Sequence, residues 1–292
     1  MIHRFIFSLA AEGIDEALSA PDVPVVDFGR CINSRQKRRE CTICREICPR
    51  GAISLDKRVK IDENLCNGCH LCHGICPTGC ILRRGALIKG SDPGDGVLPI
   101  FCRRAGGGAG ISLPCIASLP WEFYAYAGLK GPISVMTGDC ANCEFAAQNE
   151  IQAIFTRLQL FFGEDYSEKI LRNSQPKSAE YSRRELLGFF RRKPGKAAEV
   201  LLPKGSYRNL LLGELDGSQA HGWLIWEIGG NCIGCAACEK LCPGGALKIS
   251  ENTPQHNALK CVNCGICKAI CPGKCFGEQI PYFEGGQSDE SL

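Results

Sequence analysis

Residues 232–243 read CIGCAACEKLCP, and residues 261–272 read CVNCGICKAICP. Both follow the spacing C-x2-C-x2-C-x3-C-P. In this spacing three thiolates hold one four-iron cubane, and the fourth Cys, at the chain reversal before Pro, reaches a second cluster. Structural zinc sites instead use C-x2-C pairs separated by a longer loop. The two segments therefore predict two [4Fe–4S] clusters. The predicted ligand sets are Cys232, Cys235, Cys238 and Cys271 for one cluster, and Cys261, Cys264, Cys267 and Cys242 for the other.

Residues 223–275 resemble the bacterial-type two-cluster ferredoxins, and the resemblance rests on these two complete cysteine runs. It implies a small module that carries electrons through a pair of [4Fe–4S] clusters. Residues 41–80 repeat the pattern with the sequences CTICREICPRGAI and LCNGCHLCHGICPTGC. The chain thus contains four copies of one half-motif, and it is similar to the polyferredoxins, which join several such modules.

The first cysteine group departs from the ferredoxin pattern at one position. Arg38 stands where the first Cys of its first run would fall, and a guanidinium has no lone pair to offer iron. Cys31 lies ten residues before Cys41, and the polar, basic residues between them are typical of a loop that bulges outward. We therefore expect Cys31 to replace the missing ligand. The expected sets are Cys31, Cys41, Cys44 and Cys76 for one cluster, and Cys66, Cys69, Cys72 and Cys48 for the other.

Two further cysteines, Cys80 and Cys275, lie in Cys-Pro-x-x-Cys sequences and are candidate spare ligands. When the half-motifs are aligned, they occupy the positions of Ala52 and Ala246. A free Cys behaves as a small hydrophobic residue, so we interpret both as buried side chains beside a cluster. His70 and His73 occupy spacer positions of the run, and we interpret them as loop residues rather than ligands.

The region between the two groups alternates strand and helix patterns, which predicts a small α/β domain. The predicted strands are VLPIFC and PISVMTG, and the predicted helices lie around WEFYAYAGL and from Phe145 to Phe162. Its four cysteines fall at or just beyond the ends of predicted strands, or in the loops that follow, where open α/β sheets bind ligands. These cysteines are Cys102, Cys115, Cys140 and Cys143.

Residues 98–149 resemble the small iron–sulfur electron-transfer subunit that joins nickel–iron hydrogenase to heterodisulfide reductase. The resemblance rests on the order of the four cysteines and on the aromatic Phe145 that follows them. It implies that these cysteines hold one additional cluster, either [2Fe–2S] or another iron–sulfur type. A zinc site and plain thiols are the alternatives. Gly106 to Gly108 fit neither the dinucleotide-binding motif nor a phosphate-binding loop.

These features predict an α+β protein in which two ferredoxin-like dicluster modules flank a small α/β domain. The predicted boundaries are residues 1–92 for the first module, 93–165 for the middle domain and 223–292 for the second module. Residues 166–222 are more polar and are interrupted by Pro and Gly, so we interpret them as a linker. This linker includes one predicted amphipathic helix, from Ser182 to Arg192.

Charge and hydropathy limit the classes of partner. The formal charge of +3 counts the 22 thiols as neutral, whereas four clusters of charge −2 would bring the total to about −5. We therefore expect no nucleic-acid partner. No stretch approaches the roughly 20 apolar residues of a membrane span. The apolar run from Phe5 to Ala11 is short for a signal sequence, so we interpret it as a first strand and expect a cytoplasmic protein.

The expected function is electron relay in anaerobic metabolism, through the two modules and onward to a redox protein partner. The resemblances imply that this partner is an oxidoreductase, such as a hydrogenase-like or reductase complex. The chain shows no Ser–His–Asp set, paired-carboxylate motif or nucleotide fingerprint, so an electron carrier or oxidoreductase subunit is favoured over a stand-alone enzyme. One alternative is a reductase whose middle four-cysteine site performs thiol or disulfide chemistry. Another is a scaffold that passes clusters to other proteins.

Overall fold

In the computed structural model of the protein, the described residues are 22–35, 41–56, 58–83, 89–90, 97–105, 110–173, 198–199, 207–215, 224–229 and 231–281. The expected N-terminal strand, Arg38, the glycines from Gly106 to Gly108 and the expected helix from Ser182 to Arg192 lie outside them. Helices and strands are mixed and the sheets are small, consistent with an α+β protein. None of the helices in these ranges is long and apolar enough to cross a membrane.

The bounds of the described elements are as follows. The strands are β1 (Val25–Val26), β2 (Ile53–Ser54), β3 (Lys60–Ile61), β4 (Ile81–Leu82), β5 (Lys89–Gly90), β6 (Leu98–Cys102), β7 (Ile111–Leu113), β8 (Ile133–Met136), β9 (Ile170–Arg172), β10 (Ala198–Glu199), β11 (Leu224–Ile228), β12 (Leu247–Ser250), β13 (Thr253–His256) and β14 (Phe276–Pro281). The α-helices are α1 (Ile32–Arg35), α2 (Ile43–Glu46), α3 (Leu71–Ile75), α4 (Trp121–Lys130), α5 (Gln148–Phe162), α6 (Tyr166–Lys169), α7 (Tyr207–Glu214), α8 (Ala237–Leu241) and α9 (Ile266–Ile270).

The two cysteine-rich regions share one plan. In the first, β1 pairs with β4 and β2 pairs with β3, both antiparallel. In the second, β11 pairs with β14 and β12 pairs with β13, again antiparallel. Each Cys-Pro turn is followed by a short strand, because Pro cannot continue the preceding helix and the apolar residues after it are buried. The helices α3, α8 and α9 carry the third Cys of their runs.

A four-stranded parallel sheet lies between these regions, with the strand order β7-β6-β8-β9. Ile100 of β6 is aligned with Ile111 of β7 on one side and with Val135 of β8 on the other. The central strands β6 and β8 are buried along almost their whole length, as is typical of a parallel sheet covered by helices. Tyr124 of α4 is fully buried, and its hydroxyl donates a 2.6 Å hydrogen bond to the carbonyl of Ile116.

This sheet extends beyond residue 165, where the sequence patterns place the end of the domain. β9 pairs in parallel with β8, and Ile170 at its start is 2% exposed. Helix α6 and strand β9 therefore continue the middle domain into the segment interpreted as a linker. Helix α5 begins at Gln148, three residues after the expected start at Phe145, because the turn that contains Cys143 ends only at Ala146.

Two contacts hold the middle domain against the cysteine-rich regions. Gly74 of α3 lies against the 3-10 turn Ile116–Ser118, and a Cβ at Gly74 would overlap the carbonyl oxygen of Ala117. On the other side, Arg208 of α7 donates hydrogen bonds to the carbonyls of Ala258 and Leu259, at 3.3 and 3.2 Å. The same guanidinium lies 3.4 Å from the Glu122 carboxylate of α4. The three parts of the chain are thus in direct contact.

The contact at Gly74 gives a stability prediction. Gly74→Ala should lower the free energy of unfolding by about 1–3 kcal/mol, because the added methyl group overpacks a rigid backbone contact. The measurement is the thermal unfolding midpoint of the iron-loaded protein, followed by circular dichroism. The control is Gly213→Ala in α7, where an added Cβ meets nothing within 4 Å and should stabilise the helix slightly. Equal midpoints for Gly74→Ala and the wild-type protein would contradict the close contact.

Candidate metal centres

The first set of expected ligands meets around one space. Cys31, Cys41, Cys44 and Cys76 line an empty volume of about 340 Å³. Burial raises the pKa of Cys44 to about 12, and the negative charges of Cys41, Cys76 and Cys31 add to the shift. The four thiols are therefore close enough to interact electrostatically although Cys31 and Cys76 are far apart in sequence.

Cys31 is followed by a short helix, and the second half of the expected outward loop, residues 36–40, lies outside the described residues. Cys31 and Ile32 are only 5% and 3% exposed, and α1 begins directly after Cys31. The side chain of Asn33 joins this helix to Cys41 through two hydrogen bonds. It accepts one from the Cys41 N–H at 2.7 Å and donates one to the Cys41 carbonyl at 2.9 Å. These two hydrogen bonds hold the helix that follows Cys31 against Cys41. They could not be predicted from the sequence.

The second set is also brought together. Cys48, Cys66, Cys69 and Cys72 line an empty volume of about 320 Å³. Burial raises the pKa of Cys72, and the charges of Cys69, Cys44, Cys66 and Cys48 raise it further. Cys48 precedes Pro49 in the earlier run, so one ligand comes from the other half-motif.

The C-terminal region repeats this exchange of ligands. Cys232, Cys235, Cys238 and Cys271 line an empty volume of about 320 Å³. Cys267 interacts with the charges of Cys261, Cys264 and Cys242, although burial is the main reason that its pKa rises to about 12. Each group of the C-terminal region thus contains three cysteines of one run and the Cys before Pro of the other run.

Backbone conformation explains how three close cysteines point to one centre. The residue after the second Cys is left-handed in three runs, with φ of 58° at His70, 53° at Ala236 and 67° at Gly265. This left-handed residue turns the chain directly into the helix that carries the third Cys. The equivalent residue of the incomplete run, Thr42, has φ of −105°. The run that lacks its first Cys is therefore also the run whose turn differs.

Backbone amides point at the thiols that precede Pro. Ala52 N–H donates to Cys48 Sγ at 3.3 Å, and Ala246 N–H donates to Cys242 Sγ at 3.2 Å. Cys275 N–H donates to Cys271 Sγ at 3.3 Å in the same way. Hydrogen bonds of this kind stabilise negative charge on a ligating sulfur and raise the reduction potential of a cluster.

Cys80 and Cys275 occupy the positions of Ala52 and Ala246, and all four residues are at most 4% exposed. Cys80 Sγ lies 3.4 Å from Cys76 Sγ. A hydrogen bond from the Cys80 thiol is the largest cause that lowers the pKa of both Cys31 and Cys76. Cys275 is similarly hydrogen-bonded to Cys271 and Cys232. These two cysteines are therefore donors to the thiol sets as well as small buried residues.

The four middle cysteines converge at the carboxyl ends of neighbouring parallel strands. Cys102 ends β6, Cys115 follows β7, and Cys140 and Cys143 follow β8. Burial raises the pKa of Cys115 to about 12, with further contributions from the charges of the other three. Because a metal binds thiolate, such a buried thiol must lose its proton when a metal binds.

The loop after β8 is held in place by short contacts. Gly138 N–H donates to Cys102 Sγ at 3.2 Å, and a Cβ at Gly138 would lie 2.8 Å from the Arg104 carbonyl. The Asp139 carboxylate accepts hydrogen bonds from the N–H groups of Ala141 and Asn142, at 3.1 and 3.4 Å. The turn between Cys140 and Cys143 is therefore ordered by its own side chains.

His70 lines the space shared by Cys48, Cys66, Cys69 and Cys72, and one ring nitrogen of each of His70 and His73 faces a polar group. His70 is 1% exposed, and its Nε2 lies 3.1 Å from an Asp22 carboxylate oxygen. Burial lowers the pKa of His70 to about 3, so the ring is neutral at pH 7. His73 Nδ1 lies 2.6 Å from the Ile81 carbonyl. Within the described ranges, no group of three or more His, Cys, Asp or Glu side chains is arranged to hold a single metal ion.

Comparison with known families identifies two segments of the chain. Residues 224–272 match the family described as the 4Fe-4S dicluster domain, and residues 59–82 match the family described as the 4Fe-4S binding domain. No curated protein and no solved structure matches the chain. The matched segments contain all twelve cysteines of the three complete C-x2-C-x2-C-x3-C-P runs, but neither Cys31 nor the middle sheet. The chain therefore contains two ferredoxin-type [4Fe–4S] domains, which indicate an iron–sulfur electron-transfer role.

Proposed function

We propose that the chain relays electrons through four [4Fe–4S] clusters, two in each of two modules that flank the middle α/β domain. The proposed ligand sets are Cys31, Cys41, Cys44 and Cys76; Cys48, Cys66, Cys69 and Cys72; Cys232, Cys235, Cys238 and Cys271; and Cys242, Cys261, Cys264 and Cys267. The observation that carries the proposal is the exchange of one Cys between the runs of each region. Thiols shared in this way suit a pair of neighbouring clusters and electron transfer between them.

The geometry around Cys31 supports its role as a ligand. Its thiol shares the first space with Cys41, Cys44 and Cys76, and Asn33 links its helix to Cys41. Cys80 reaches the same space, but its position matches that of Ala52, which has no side chain able to bind iron. We therefore assign Cys31 as the ligand and Cys80 as a hydrogen-bond donor.

We further propose that the middle four cysteines hold an additional iron–sulfur cluster, [2Fe–2S] or another type. Their placement at adjacent strand ends supports a shared centre. A thiol reductase is disfavoured, because burial raises the pKa values of Cys115 and Cys140 and so leaves little thiolate to act as a nucleophile.

Electrons need an exchange point with a partner, and the cluster of Cys232, Cys235, Cys238 and Cys271 suits this role. Cys235 is the exposed cysteine among the 22. The neighbouring Ile233 is 66% exposed. An apolar surface beside an exposed ligand suits docking of a redox protein. We propose that this partner is a cytoplasmic oxidoreductase of anaerobic metabolism, either hydrogenase-like or part of a reductase complex.

The first prediction concerns metal content. After anaerobic reconstitution, the chain should bind about 16 iron atoms in the two modules and about 2–4 more in the middle domain. Iron, sulfide and zinc are measured on the same desalted sample. Stoichiometric zinc with little iron would overturn the proposal.

The second prediction separates Cys31 from Cys80. Cys31→Ser should lose about four iron atoms or show a [3Fe–4S] signal by electron paramagnetic resonance, whereas Cys80→Ser should keep its iron. The Cys80 thiol lies so close that it could replace Cys31 as a ligand in the single variant. The double variant Cys31→Ser, Cys80→Ser removes that replacement. Iron loss in Cys80→Ser with full iron in Cys31→Ser would transfer the ligand role to Cys80.

The third prediction concerns the middle site. Cys102→Ser and Cys140→Ser should each lose about 2–4 iron atoms and the matching visible absorption, while the module clusters remain. Ser112→Ala is the control, since Ser112 is an exposed residue of the adjacent strand β7. If both cysteine variants keep full iron and an unchanged spectrum, the middle cysteines do not hold a cluster.

A further inference from the structure

A cleft lies where the three parts of the chain meet. The volume inside it that is open to water is about 400 Å³. Helix α3 and the turn after it form one wall, helices α4 and α5 form the second, and Arg208 with Val262 and Asn263 forms the third. Clefts between domains with this volume are common sites for small organic ligands.

Three cysteine-bearing loops reach this cleft. Cys76 lines it directly, and Ala117 lies two residues after Cys115. Val262 and Asn263 lie between Cys261 and Cys264. The cleft therefore adjoins one thiol set in each of the three parts of the chain. A ligand bound here would lie beside several one-electron carriers at once.

The charges in the cleft are unevenly paired. Glu122 and Arg208 pair with each other at 3.4 Å, and Arg208 also donates to two backbone carbonyls. Arg157 also lines the cleft, and no hydrogen bond or ion pair joins its guanidinium to another described residue. Burial lowers the pKa of Arg157, and the Glu122 charge only partly offsets this. A partly buried cation of this kind favours an anionic ligand.

The remaining walls are largely apolar. Trp121, Ile154 and Val262 contribute hydrocarbon and ring surface. Glu150 adds one carboxylate on the same helix as Arg157. The ligand that fits has an apolar, planar body and one negative group that can reach Arg157.

We propose that this cleft binds a planar organic anion of the quinone class, which accepts electrons from the adjacent clusters. The electron-transfer part rests on the proposed function, whereas the binding part rests on the cleft alone. Two reduced clusters held in the adjoining thiol sets would supply one electron each, and the quinone would take up both electrons together with two protons from water to give the hydroquinone. The relay would then convert single-electron flow into a paired reduction inside one protein.

Binding is tested on the iron-loaded, oxidised protein by anaerobic equilibrium dialysis with naphthoquinone sulfonate. The expected result is saturable binding of one molecule per chain. Arg157→Ala should weaken it at least about tenfold, since a charge-assisted hydrogen bond is lost. Glu150→Gln should strengthen it, because a like charge is removed. Lys169→Ala removes a positive charge outside the cleft and is the matched control. Neutral naphthoquinone should respond to none of these three substitutions.

A second pair of variants tests the location sterically. Ala153 is an exposed residue of α5 that lines the cleft, and Gln159 is an exposed residue of the same helix outside it. Ala153→Trp should abolish binding of both the anionic and the neutral quinone, whereas Gln159→Trp should leave both unchanged. Unchanged binding in Arg157→Ala and Ala153→Trp, with full iron content, would overturn the site.

Electron transfer is followed by mixing dithionite-reduced, desalted protein with naphthoquinone sulfonate and recording the recovery of cluster absorbance. One quinone should reoxidise two clusters, and Ala153→Trp should slow the reaction at least about tenfold at a quinone concentration that half-saturates the wild-type protein. Equal rates in the two proteins would refute transfer through the cleft. If iron analysis finds no clusters but Arg157-dependent binding persists, the relay fails and the binding site stands.

Discussion

Four thiolates must meet at each cluster, and the chain around them is organised to satisfy that constraint. A complete run supplies three closely spaced cysteines, and the incomplete first run supplies two together with Cys31, so each half of a proposed module depends on the other half for the fourth. The apolar cores of these regions are small and consist largely of cysteines, such as Cys44, Cys72 and Cys80 in the first. Metal binding in such a domain contributes directly to its folding free energy. In the proposed four-cluster protein, iron would therefore take much of the structural role that a hydrophobic core has in the middle domain.

The middle domain differs in this respect. Its sheet and helices bury large apolar side chains, including Leu113, Tyr124 and Leu158 at 0% exposure, so it has a core that does not depend on metal. Helix α7 extends this core, and Arg208 connects it to the carbonyls of Ala258 and Leu259. The cysteine-rich regions are thus attached to a folded domain whose core is apolar.

The proposed grouping of the cysteines could be predicted from the sequence, because cysteine spacing determines which thiols can share a cluster. The middle strands and helices followed from their periodicity. Strand β9 could not be predicted from periodicity, since three residues after a polar turn give no periodic signal. These residues form a strand only through their pairing with β8. The hydrogen bonds made by the side chains of Asn33 and Arg208 could not be predicted from the sequence either. The bonds of Arg208 reach Glu122, which is 86 residues away in sequence.

The exposure of Cys235 affects how the protein responds to oxygen. Oxidants attack iron–sulfur centres that they can reach, and burial slows their approach. A cluster held by Cys235 would therefore be reached before clusters held by buried cysteines such as Cys44 and Cys72. The outermost cluster would thus be lost before the inner ones. In the proposed relay, loss of that cluster would interrupt electron exchange with the partner.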